Sequence, residues 1–175
     1  MYSKILITGP PRCGKSTLIK KLISYYKSKN YVIAGFLTPE IQKEGKRLGF
    51  DIEDIQSGEF SLLARKGVYD TKYRLGNYSI FIEEFDTYLK DLNFRNLQNV
   101  DLLIIDEIGK MELNSQLFLS FLKKMFNSKV RIIATIGQKL KHTIKSELLN
   151  LPSIKLFLLN LNNQQEIFEK ILNMI

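Results

Sequence analysis

One cysteine, one histidine and no tryptophan occur in 175 residues. A lone cysteine cannot close an internal disulfide or complete a zinc cage, so disulfide scaffolds and zinc modules are excluded and a reducing cytoplasm is the expected compartment. His142 has no Cys, Asp or Glu at metal-ligand spacing, which removes it as a metal site. No apolar run approaches the roughly 18 residues of a membrane span, so no membrane association is expected. Met1-Tyr2-Ser3-Lys4 leads straight into an apolar run, leaving no room for a signal peptide. Repeats, low-complexity tracts and Gly/Ser/Pro linkers are missing too. A single domain over residues 1–175 is therefore expected, long enough to bury roughly 70% of its unfolded surface.

Acidic residues are absent from two stretches. Residues 1–30 carry Lys4, Arg12, Lys15, Lys20, Lys21, Lys27 and Lys29 without one Asp or Glu. Residues 113–146 carry Lys123, Lys124, Lys129, Arg131, Lys139, Lys141 and Lys145, again without an acid. With a net charge of +8, such surfaces could meet nucleic acid. A site for a polyanionic nucleotide is basic for its own reasons, however. Neither stretch interleaves aromatics with arginine as single-strand binders do. Nucleic acid is a possible partner but not the expected one, and the expected state is a monomer.

What is present is more pointed. Gly9-Pro10-Pro11-Arg12-Cys13-Gly14-Lys15-Ser16 fits GxxxxGK[ST], the phosphate-binding loop. Lys4–Thr8 ahead of it is a short strand-like run, and Leu18, Ile19, Leu22, Ile23 and Tyr26 behind it form one helical face. Strand, loop and helix point successive N–H groups at a polyphosphate, and the helix N-terminus adds partial positive charge there. The loop residues Gly9 to Ser16, with Thr17, form the expected nucleotide site. Lys15 reaches the β- and γ-phosphates, and Ser16 ligates Mg²⁺. Cys13 reads as a small filler whose N–H matters more than its sulfur. Arg12 either touches phosphate or points to solvent.

A second signal is Leu102-Leu103-Ile104-Ile105-Asp106-Glu107, four apolar residues ending in two acids. Asp106 then sits at the end of a buried strand, in the Walker B position that holds Mg²⁺. Its distance of 91 residues from Lys15 leaves room for at least one extra strand between the two motif strands. Glu107 can hold and polarise a water in line with the γ-phosphate, as hydrolysis requires. Lys110 reads either as a cation on the γ-phosphate, the role of an arginine finger, or as a solvated loop lysine. Thr135 either contacts the attacking water or γ-phosphate, or bonds locally to backbone. Met111 is packing.

The apolar runs Tyr31–Leu37, Val100–Ile105, Val130–Ile136 and Ile154–Leu159 read as strands buried on both faces, as in parallel sheets. Helical stripes run through Leu117–Phe126 and Ile167–Ile175, the latter opened by a capping box of Asn163 and Glu166. The alternation predicts an open α/β sheet with helices on both faces. Residues 38–81 break it: Arg47–Ile52, Phe60–Ala64 and Tyr78–Ile82 lie between glycines and read as antiparallel hairpins, a β-rich insertion on the edge of the sheet near the loop.

Nearly the whole chain resembles the small nucleoside-triphosphatase family of thermophiles and archaea, called cancer-related nucleoside-triphosphatase in animals. The resemblance rests on the loop at Gly9–Ser16, Gly35-Phe36-Leu37-Thr38-Pro39-Glu40, Arg47–Ile52, Gly76–Ile80, Ala134–Ile136 and, most specifically, Ile105-Asp106-Glu107-Ile108-Gly109-Lys110-Met111-Glu112. It implies a three-layer, RecA-like, mostly parallel P-loop sheet with a small antiparallel β insertion, Mg²⁺ dependence and slow hydrolysis of ATP, GTP and other nucleoside triphosphates. This sequence departs from the family pattern in having Arg12 for a third loop glycine, Gln42 for a frequent arginine and Asn162-Asn163-Gln164 for a run containing Asn-Arg. Lys43, Arg47 or Arg12 could replace part of that charge. A nucleotide or nucleoside kinase and a nucleotide-regulated RNA-binding module are the alternatives in other classes.

Overall fold

A computed structural model of the chain describes residues 4–94 and 97–175. In chain order, β1 (Lys4–Thr8), α1 (Lys15–Ser28) and β2 (Ile33–Leu37) are followed by β3 (Glu40–Lys43), β4 (Lys46–Asp54), β5 (Phe60–Lys66), β6 (Tyr73–Leu75) and β7 (Tyr78–Ile80). Then come α2 (Ile82–Phe94), β8 (Leu102–Ile108), α3 (Gln116–Phe126), β9 (Ile132–Ile136), α4 (Thr143–Leu149), β10 (Ile154–Leu158) and α5 (Gln164–Leu172).

The strands form one sheet in the order β10-β1-β9-β8-β2-β4-β5-β7-β6, with β3 beside β4. The five strands from β10 to β2 run parallel to their neighbours. Every pairing beyond β2 is antiparallel. The sheet is thus mixed rather than mostly parallel. The reason lies at the edge of β2, where Phe36 and Leu37 pair with Asp54 and Glu53. The glycine-rich excursion lies on that edge of the sheet, as expected, and continues it with antiparallel strands.

Side chains alternate across this sheet, so the central parallel strands β1, β9, β8 and β2 feed two cores. Ile5, Ile7, Ile104 and Ile133 pack with Leu18, Leu22 and Tyr26 of α1 and Ile167, Phe168 and Ile171 of α5. Leu6, Ile105 and Ala134 pack on the other face with Phe85 and Leu89 of α2, Phe118 and Leu122 of α3, and Ile144 and Leu148 of α4. Each fully buried aliphatic or aromatic side chain contributes roughly 1.5–3 kcal/mol. Helices therefore cover both faces, as the alternation predicts, and no helix among the described residues is long and apolar enough to cross a membrane.

Several local expectations are corrected. β2, β8 and β9 each begin two residues later than the apolar runs suggest. At β2 the Tyr31 N–H is committed to the Tyr26 carbonyl at the end of α1, so it cannot join the ladder. Tyr78–Ile82 is not one strand: β7 stops at Ile80 and Ile82 opens α2. β10 is an edge strand, so Ile154–Leu159 is not buried on both faces; Leu156 and Leu158 are 41% and 57% exposed. The capping box at Asn163 does not form. Its amide instead accepts the Asn160 N–H and donates to the Leu158 carbonyl, closing the loop before α5.

Gly35 shows how tightly β2 meets β8. Its φ is +114°, and a Cβ there would stand 1.8 Å from the Ile104 carbonyl oxygen. Left-handed backbone and a backbone collision act together, so Gly35→Ala should destabilise the protein by more than about 2 kcal/mol. Chemical denaturation checks this through the midpoint.

Candidate nucleotide site

β1 delivers the chain to the loop. The Thr8 hydroxyl donates to the Ile136 carbonyl at 2.9 Å, and the Leu159 N–H donates to the Thr8 carbonyl at 2.7 Å. The end of β1 is thus anchored from both neighbouring strands. At Gly9 a Cβ would lie 2.4 Å from the Leu159 carbonyl oxygen and 2.8 Å from the Cys13 sulfur. Cys13 itself is buried, a filler under the loop. The Cys13 N–H closes onto the Pro10 carbonyl at 3.3 Å, while Arg12 and Gly14 take φ values of +62° and +93°. Left-handed residues within such a turn gather N–H groups into an anion-binding concavity. Arg12 holds that conformation at a cost of about 1–2 kcal/mol, which a glycine would not incur. Its exposed side chain faces the charge of Glu40 on β3, so the antiparallel excursion stands beside the loop, as expected.

α1 opens at Lys15 with Gly14 as its cap, no capping side chain and no acid in its first turn. Its free N–H groups are therefore open to an anion. Lys15 Nζ folds over the loop and donates to the carbonyls of Gly9 and Pro10 at 3.1 and 3.2 Å. Ser16 and Thr17 follow on the exposed first turn. One supporting residue escapes sequence reasoning. Gln164 of α5 donates to the Cys13 carbonyl at 2.9 Å and lies over Gly14, where a Cβ would meet its amide nitrogen at 2.5 Å.

β9 lies between β1 and β8 and brings the second motif to the loop. The Thr135 hydroxyl on β9 donates to Asp106 Oδ1 at 2.5 Å, so it is engaged with the acid rather than with local backbone. Asp106 is buried. Burial pushes its carboxyl up, against the hydroxyls of Thr135 and Ser16 and the charges of Lys15 and Lys20. Lys15, Ser16, Asp106 and Thr135 therefore converge. One carboxylate and one hydroxyl are hard oxygen donors of the kind Mg²⁺ takes beside phosphate and water. No group of three or more His, Cys, Asp or Glu able to hold a metal occurs among the described residues.

Glu107 is half-buried, and burial followed by the Asp106 charge pushes its carboxyl up, opposed by Lys15. It borders Gly109 and Gly137, whose Cβ positions would lie 3.1 and 3.8 Å from Glu107 Oε1. Lys110 is exposed at the next turn, and Met111 packs against the core. Elsewhere Arg47 pairs with Glu40 at 2.5 Å, and His142 accepts the Ile144 N–H as the cap of α4.

These features define a P-loop nucleotide-binding protein of the α/β class. More narrowly, the chain belongs to the NTPase family, whose model matches residues 4–172. It is 35% identical over 172 residues to the nucleoside-triphosphatase THEP1 of Methanocaldococcus jannaschii, covering 98% of this chain and 96% of that one. To the nucleoside-triphosphatase THEP1 of Thermotoga sp. strain RQ2 it is 38% identical, covering 98% and 95% of the two chains. The crystal structure of THEP1 from the hyperthermophile Aquifex aeolicus superposes with a TM-score of 0.85 at 30% identity, covering 98% of both chains.

Glu112 is a buried carboxyl that the sequence does not mark as functional. Burial pushes it up to about 8, and the nearby charges of Glu107 and Asp106 add to that. An unfolded chain releases this proton near pH 4.5, whereas the folded chain keeps it up to about pH 8. Stability should therefore fall as pH rises through that window, by at most about 1.4 kcal/mol per pH unit. Glu112→Gln should flatten this part of the profile, as read from melting temperatures between pH 5 and 8.

Proposed function

We propose that this chain hydrolyses nucleoside 5'-triphosphates, ATP and GTP among them, to the diphosphate and phosphate, with Mg²⁺. The observation that carries the reading is the placement of Glu107. It follows the buried Asp106 on β8, across β9 from a loop whose lysine already faces its own concavity. The family membership and the names of the relatives support it.

The loop N–H groups and the α1 N-terminus would bind the polyphosphate, with residues Gly9, Pro10, Pro11, Arg12, Cys13, Gly14, Lys15, Ser16 and Thr17 around it. Lys15 would neutralise the β- and γ-oxygens. Ser16 and Asp106 would hold Mg²⁺, which when bound offsets charge on the phosphates. Thr135 would fix the Asp106 oxygen it already engages. Glu107, as the carboxylate, would take a proton from water as its oxygen bonds to the γ-phosphorus and the bond to the bridging β–γ oxygen breaks. Lys110 would meet the charge that gathers on that bridging oxygen and the γ-oxygens. Two of the arginines in the antiparallel excursion, Arg47 and Arg65, are held by Glu40 and Asp51. That favours hydrolysis over a kinase lid.

The same reading extends to the frame. The strand between the two motif strands and the helices on both faces fit a RecA-like layering. Residues 1–175 would act as one domain, a monomer, in the cytoplasm, without need of nucleic acid.

The test is phosphate release from Mg²⁺-nucleotide without an acceptor, with nucleotide affinity measured in parallel. Lys15→Ala should lower both. Glu107→Gln should keep affinity near that of the parent while turnover drops on the order of 10²–10⁴. Asp106→Asn should lose metal-dependent affinity. Absence of release by the parent, or release by Lys15→Ala at the parent rate, would overturn the proposal.

A further inference from the structure

The turn that follows β8 is bound to itself more completely than a loop needs to be. The Ile108 carbonyl accepts the Gly137 N–H from the end of β9 at 3.3 Å. The Gly109 carbonyl accepts the Leu113 N–H at 3.1 Å, and the Met111 carbonyl accepts the Asn114 N–H at 3.2 Å. Two side chains complete the pattern. The Glu112 carboxyl lies against Gly109, and the Asn114 amide donates to the carbonyls of Lys110 and Met111 at 2.8 and 3.0 Å. A Cβ at Gly109 would fall 2.7 Å from Glu112 Oε2 and 3.1 Å from Glu107 Oε1. The glycine is thus the point at which both carboxyl groups crowd the same turn.

Buried polar groups are expected to be satisfied, but this turn carries a side chain with no such ties. Lys110 has no ion pair and no side-chain hydrogen bond among the described residues, although its carbonyl is clamped. The backbone at 110 is fixed and the ammonium is left available. We propose that Glu112 and Asn114 are positioning residues, which buckle this turn so that Glu107 and Lys110 face the γ-phosphate as one rigid pair. The inference rests on the reading of Glu107 and Lys110 given above. Neither Glu112 nor Asn114 needs to touch the nucleotide. Loss of a clamp would let Lys110 drift, and a shift of about 1 Å at a reacting centre costs on the order of 10²-fold in rate.

Asn114→Asp keeps the shape of a half-exposed side chain but replaces the donor with an acceptor facing two carbonyls. It should lower turnover roughly 10-fold to 100-fold with affinity within about twofold of the parent. In a Lys110→Ala background the same substitution should have almost no further effect, because the pair acts as a unit. Glu112→Gln, which keeps the shape of the side chain against Gly109, should restore most of the turnover that Glu112→Ala loses. Equal fold-losses from Asn114→Asp in both backgrounds, or losses of affinity that match those of turnover, would overturn the proposal in favour of a structural role. If Lys110→Ala turns over at the parent rate, the reading of Lys110 has failed instead. The positioning proposal must then show the same non-additivity against Glu107→Gln, and independence there would overturn it.

Discussion

The ladder of parallel strands β1-β9-β8 is the constraint on which the rest depends. Backbone hydrogen bonds fix neighbouring strands about 4.8 Å apart, so the phosphate loop after β1 and the acids on β8 are held roughly 10 Å from each other. That gap suits a metal ion and two phosphate groups, and it is spanned from its floor by Thr135 on the intervening strand. The register leaves little freedom, since Ile7 pairs with Thr135 and Ile105 with Ala134. A slip by one residue would turn Thr135 to the opposite face of the sheet.

Away from this gap as well as beside it, the protein keeps buried charge under close control. Lys4, almost fully buried, donates to the carbonyls of Ser128 and Val130 beyond the end of α3, and burial lowers its pKa to about 8. Asp54 accepts the N–H groups of Gln56 and Ser57 and the Tyr88 hydroxyl, which ties α2 to the antiparallel excursion. On the site side the two buried or half-buried carboxyls of β8 share one principal counter-charge, Lys15. Burial and mutual repulsion raise their proton affinity while the lysine opposes it. The acid-free first thirty residues make sense in these terms, since another acid near the loop would repel the same anion.

How much of this was legible depended on whether the signal was local. The loop, the acids of β8 and the two-faced burial of the central strands are written in contiguous residues, and the structure places them together. α2 is also written there, since Phe85, Tyr88, Leu89 and Leu92 repeat at helical spacing. A strand-like run, Tyr78–Ile82, overlaps its start and hides it. α4 has only Ile144 and Leu148 as buried apolar residues, too few to show a period. Asn163 satisfies a local capping pattern that the loop before it overrides. The contact between Gln164 and Cys13 joins residues 151 apart, and no spacing rule finds such a pair. The apolar run at β10 concealed its edge position because edge or interior is decided by strand order, not by composition.

That strand order has a consequence for how the molecule is made. β1 is flanked by β9 and β10, both from the last third of the chain, and its end is fastened to Leu159 and Ile136. As the chain leaves the ribosome, the antiparallel excursion can pair with itself early, from neighbours in sequence. The first strand meanwhile waits without a partner while well over a hundred residues are added. Pairings of such long separation are slow to form, and unpaired strand edges are prone to association. β1 is thus among the last strands to gain its native surroundings, and the phosphate loop takes shape only after β9 and β10 have been made.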